Sequence, residues 1–161
     1  MNENEKIERG TAEKFLQLYN QQMATSYTIV CHSDNPDFQC KDNATGEQMG
    51  LEVTNLEDVS GDLKYILGRG QGQGVRCFNE DTLERFRQRV AEKCRKDYGP
   101  NVALVLRQVA PLWSDVDWEM YREDFQVLIP AECKKIYSKG IWVLTWKETP
   151  IRSENAIVRL M

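Results

Sequence analysis

Two carboxylates, Asp37 and Glu52, carry the chemistry this sequence offers. Between them Asn43-Ala44-Thr45-Gly46 has the composition of a hairpin turn, and residues 36–42 and 47–55 on either side read as strands. With those four residues as the loop, Asp42 faces Glu47, and the same register sets Asp37 opposite Glu52 with Cβ atoms roughly 5 Å apart. Side-chain alternation then divides the hairpin. Phe38, Cys40, Met49, Leu51 and Val53 share a core face, and Asn35, Asp37, Gln39, Glu52 and Thr54 share a polar one. Like charges opposed across a ladder repel unless solvent or a cation compensates. A hard divalent ion suits the pair, because Mg²⁺ is held by one or two carboxylates and completes its shell with water and phosphate. The alternative is a solvated polar face on an ordinary hairpin.

Further candidates gather around this pair. Helical spacing over residues 6–23 puts Glu8 on the side of Ala12, Phe15 and Tyr19, and Glu13 nearly opposite, facing solvent. Glu8 therefore either serves a site or complements the dipole of an open first turn. Lys93 lies at the margin of a second helical stripe, Leu83, Phe86, Val90 and Cys94, where it either reaches a site over the sheet or stays solvated. His32 is the sole histidine, which rules out a multi-histidine metal site. The stretch from Gly68 to Gly74 lacks the Gly-Lys-Ser/Thr ending of a phosphate-cradling loop. It reads as a flexible connection, or as a mobile loop that Arg69 and Arg76 bring toward a nucleic-acid backbone.

The elements that must position these groups follow one another as α-β-β-β-α-β, then a helical stretch and a last strand. The first strand lies around Thr28 to Cys31, the second helix runs from near Glu80 with Asn79 as its N-cap, and buried strands follow at residues 102–106 and 141–146. Residues 113–125 and 130–137 read as helical. The expected fold is an α/β mixed sheet flanked by helices, one domain over residues 1–161 with a helix-strand extension after about 110. A net charge of -4 gives no global attraction to nucleic acid, so any such contact requires a local patch. Five dispersed cysteines, an odd number, predict reduced and mostly buried thiols. With no apolar run of membrane length and a polar first segment, the expected location is the cytoplasm, without membrane contact.

Glu8, Ala12 and Phe15 on the first helix, Asn35-Pro36-Asp37-Phe38 entering a strand and Gly50-Leu51-Glu52-Val53-Thr54 on the next resemble the PD-(D/E)XK nuclease-like superfamily, with its restriction-endonuclease-like fold. The second helix, with Lys93 and Lys96-Asp97-Tyr98 near its end, extends the resemblance over residues 5–107. It implies that Asp37 and Glu52 bind Mg²⁺ or Mn²⁺ together with the main-chain carbonyl of Val53, that Glu8 assists, and that the substrate is nucleic acid, DNA rather than RNA. It is also compatible with a homodimer. The family's lysine two residues after the glutamate is replaced here by Thr54, which can hold a water but brings no positive charge. Either another cation, Lys93 being the candidate, takes over, or the domain no longer cleaves and serves as a nucleic-acid-binding or protein-interaction module. A third reading makes the acids incidental and turns exposed tryptophans, Trp113 and Trp118 among them, into a protein interface.

Overall fold

In the computed structural model, residues 2–56, 80–109, 113–148 and 154–161 are described, with backbone alone for 80–82. Asn79, the Gly68–Gly74 stretch with Arg69 and Arg76, and Cys77 lie outside that set. Helix α1, Glu3–Met23, starts earlier than the apolar stripe suggests because Asn2 and Glu5 cap each other. The Glu5 N–H donates to Asn2 Oδ1 at 2.9 Å and the Asn2 N–H donates to the Glu5 carboxylate at 3.0 Å. Its buried side carries Ala12, Phe15, Leu16 and Tyr19. Strands β1 (Tyr27–His32), β2 (Phe38–Asp42) and β3 (Gln48–Leu56) follow. The β2–β3 register pairs Phe38 with Leu51 and Cys40 with Met49, as the four-residue turn requires. Gly46 closes that turn at a φ of 77°, a conformation open to glycine and strained for other residues.

Helix α2 (Glu80–Lys93) lies between β3 and β4 (Val102–Gln108), which pair in parallel. Short helices α3 (Asp115–Met120), α4 (Arg122–Gln126) and α5 (Ala131–Ile136) lead to β5 (Ile141–Trp146), parallel to β4. Strand β6 (Asn155–Arg159), which the sequence reading did not anticipate, closes the sheet antiparallel to β5. The six strands run in sequence order, β1-β2-β3-β4-β5-β6, so the sheet is mixed and helices flank it.

Each sheet face is covered by its own apolar cluster. Phe15 and Tyr19 of α1 meet Phe38, Leu51, Val105 and Trp142 on one face. On the other, Phe86 and Val90 of α2 join Leu104, Trp118, Phe125 and Val143. Trp113 and Trp118 are 7% and 1% exposed and stack on each other at 5.1 Å, so they fill the core and cannot mark an exposed interface. The expectation of reduced thiols is also corrected, because Cys94 and Cys133 form a disulfide with Cα atoms 5.3 Å apart. Linear spacing hid it, since the two lie 39 residues apart and meet only when α5 folds under the end of α2. Cys40 is a buried free thiol and Cys31 an exposed one. No described helix is long and apolar enough to cross a membrane.

Gly10 stands inside α1 with no atom within 4 Å of where a Cβ would be. Glycine in a helix interior costs about 0.5–1 kcal/mol relative to alanine. Gly10→Ala is therefore expected to raise the unfolding free energy by about that amount in a urea titration.

Candidate metal centre

The loop between β1 and β2 delivers Asp37. The Ser33 N–H donates to the Asp37 carbonyl at 2.7 Å and the Ser33 hydroxyl donates to the Pro36 carbonyl, which draws the loop into a tight return. Pro36 then lies against β3 at Gly50, where an added Cβ would come within 2.5 Å of the proline Cγ. Only glycine permits that approach, and it seats Asp37 beside Glu52, one step beyond the Phe38–Leu51 pair. The Val53 N–H donates to Asp37 Oδ2 at 2.8 Å. In a strand the N–H and C=O of one residue point to the same side, so the Val53 carbonyl turns toward the aspartate as well.

Glu52 is 3% exposed, so its face of the hairpin is not the open polar surface that alternation alone suggests. Helix α2 covers it, and the Lys93 ammonium stands 3.6 Å from Glu52 Oε2. The Tyr137 hydroxyl donates to the Lys93 carbonyl at 2.6 Å, and the Cys94–Cys133 disulfide ties the next residue to α5. The end of α2 is thus pinned twice where its cation meets the acid. The other carboxylate oxygen, Glu52 Oε1, is buried and has no hydrogen-bond partner among the described residues. A buried acceptor in that condition calls for a proton or a cation.

Burial, then the neighbouring Glu52 carboxylate, push the pKa of Asp37 up to about 8, against the favourable Val53 N–H. Glu8 adds negative charge to the same effect. The hydroxyls of Tyr98 and Tyr137 are also pushed up, by burial first and then by neighbours that include Glu52, so both stay protonated. Neither tyrosine was singled out in the sequence. Tyr98 follows Lys96-Asp97 closely enough to be weighed, whereas Tyr137 carries no local signal.

Among the described residues β2 pairs with β3 only from Gln48 to Leu51, so the later part of β3 has no strand partner on that side. A cleft of about 300 Å³ adjoins that part, walled by Glu8 from α1, Val53, Thr54 and Asn55 from β3, and Arg89 and Lys93 from α2. Glu8 points inward as its helical position implies, but its carboxylate lies 4.0 Å from His32 Nε2 rather than against the two acids. Glu13 faces outward and pairs with Arg9 at 3.1 Å. Among the described residues no three His, Cys, Asp or Glu side chains converge as a ready cage. Buried Glu52 and half-buried Asp37 thus lie next to a cleft whose own walls hold Val53, Thr54 and Lys93. The chain matches no model of a known protein family, no characterised protein and no solved structure with which it was compared.

Proposed function

We propose that the protein is a metal-dependent nuclease with a restriction-endonuclease-like fold, hydrolysing phosphodiester bonds in nucleic acid, DNA in preference to RNA. One observation carries the reading: Lys93, a cation able to take the place of the lysine absent at Thr54, stands 3.6 Å from Glu52 in the adjoining cleft. The order α1-β1-β2-β3-α2-β4 and the pairing of Asp37 with Glu52 support it.

Asp37, Glu52 and the Val53 carbonyl fit Mg²⁺ or Mn²⁺, an all-oxygen set with one buried oxygen awaiting a partner. Bound there, the ion supplies Lewis-acid polarisation of the phosphate and a lowered pKa for the attacking water. The chain's own residues do the rest. Lys93 stabilises negative charge that develops on the phosphoryl oxygens, and the Tyr137 hydrogen bond to its carbonyl and the disulfide at Cys94 fix its backbone beside the acid. The Thr54 hydroxyl, at the cleft wall, can hold the attacking water by hydrogen bonds. Glu8 strengthens the pull on a cation from across the cleft.

Plasmid, single-stranded DNA and RNA, incubated with Mg²⁺ or Mn²⁺ and with chelator, provide the test. Wild type should cleave only with metal, and Asp37→Ala should lower the rate on the order of 10²-fold or more. Metal binding without cleavage would select instead a non-catalytic nuclease-like module. That second reading draws support from Thr54 and from the pairing of Lys93 with Glu52, which gives the acid a protein counter-charge. If metal changed neither stability nor activity, both readings would fall.

A further inference from the structure

On the same side of the sheet as α1, a second cleft of about 350 Å³ opens at the carboxyl ends of the parallel strands β4 and β5. Its chemistry differs from that of the first cleft, which Glu8 lines. Among the described residues its lining holds two cations, Lys14 of α1 and Arg107 of β4, and no Asp or Glu. At its far wall stands Trp146, the last residue of β5. Trp113, Trp118 and Trp142 each contact other rings in the core, whereas Trp146 makes no ring contact with any described residue and is only half-buried. Among the described residues its indole is thus unstacked, in a cleft that Lys14 and Arg107 also line.

The two clefts adjoin each other. Ile7 lines both, and Arg107 Nη1 donates to Oδ1 of Asn55, which walls the acidic cleft, at 3.3 Å. Gly10 forms part of the α1 wall, and the space its missing side chain leaves belongs to the cleft. A strand leaving the first cleft past Asn55 would therefore reach Arg107, the residue bonded to it.

We propose that this cleft is a nucleotide subsite for single-stranded nucleic acid, in which one base stacks on Trp146 while Arg107 and Lys14 take flanking phosphates. This rests on the nuclease reading for the direction of the strand, but not for the existence of the subsite. The volume lies at the small end of ligand sites, enough for one extruded nucleotide and too narrow for a stacked duplex. Stacking on an aromatic face tolerates any base, and phosphate contacts carry no sequence information, so the subsite confers strandedness rather than sequence preference.

Fluorescence anisotropy with labelled oligo-dT, oligo-U and a mixed-sequence duplex, all in chelator so that nothing is cleaved, tests the proposal. Wild type should bind both single strands more tightly than the duplex, and a preference between dT and U identifies the physiological polymer. Trp146→Ala should weaken single-strand binding about tenfold, with Trp146→Phe retaining most of it. Arg107→Ala should weaken it and reduce the salt slope by about one ion. Gly10→Leu fills the cleft from an open helix position, so it should block binding in a protein that melts no lower than wild type. Mn²⁺ binding, followed by calorimetry, should be unchanged in all of these, whereas Asp37→Asn should lose Mn²⁺ and keep oligonucleotide binding. Duplex bound as tightly as single strands, or Trp146→Ala and Gly10→Leu binding like wild type, would overturn the subsite. Loss of binding in those variants without any Mn²⁺ binding by wild type would sustain the subsite and remove the nuclease reading instead.

Discussion

Lys93→Met is expected to lower metal-dependent cleavage on the order of 10²- to 10³-fold, the effect of removing one preorganised charge from a site that excludes much of its water. The same substitution should also destabilise the fold. Glu52 is 4% exposed at its side chain and Lys93 26%, so the acid is the buried partner and would be left alone. Breaking a buried pair from the exposed side costs about 3 kcal/mol, because the remaining carboxylate keeps its desolvation penalty and loses its counter-charge. The reverse substitution separates the two effects. Glu52→Gln removes the buried charge and leaves a lysine that can turn to water, so stability should change by less than about 1 kcal/mol while cleavage disappears. In the double variant the stability lost with Lys93→Met should largely return and activity should not. Urea titrations of the four proteins give the coupling energy directly, and a coupling near zero would mean that the 3.6 Å pair is incidental.

What could be read beforehand, and what could not, divides along the range of the interactions involved. The hairpin register was legible because a four-residue turn ending in Gly46 and strict alternation from Phe38 to Val53 leave one pairing that keeps the apolar residues together. Helix α1 and the inward direction of Glu8 followed from its period for the same local reason. The covering of Glu52 was not legible, since it depends on how α2 crosses the sheet between two parallel strands, a tertiary relation with no trace in the hairpin's own sequence. Lys93 read more readily as a solvated helical lysine than as a site residue, and its backbone is fixed by Tyr137, 44 residues away, a contact no local pattern shows. The disulfide, β6 and the two tyrosines belong to the same category. Trp113 and Trp118 were ambiguous because short helices bury a side that is too brief to show a period.

The protonation of Asp37 leads to the second large effect. Its carboxyl titrates at about 8 in the folded chain against an ordinary value of 3.8. Between those limits the folded state holds a proton that the unfolded state has released, so stability must fall as pH rises. The contribution is complete below about pH 4 and is lost on passing through about pH 8. Without metal, the melting temperature should therefore decline from mildly acidic to mildly basic solution, opposite to the behaviour of a carboxylate held by a salt bridge. A divalent ion inverts this dependence, because it binds the deprotonated acid and must expel the proton. Mn²⁺ binding should release about one proton per ion across that range, with affinity rising about tenfold per pH unit and levelling off above pH 8. Calorimetry in buffers of different ionisation enthalpy counts the protons, and thermal melts with and without Mn²⁺ show the crossing of the two pH profiles. In Asp37→Asn both signatures should vanish together, since the amide neither titrates nor offers the charge. Wild-type melting that is flat with pH, or ion binding that releases no proton, would mean that Asp37 and Glu52 do not share one site of charge, and the case for a metal between them would be lost.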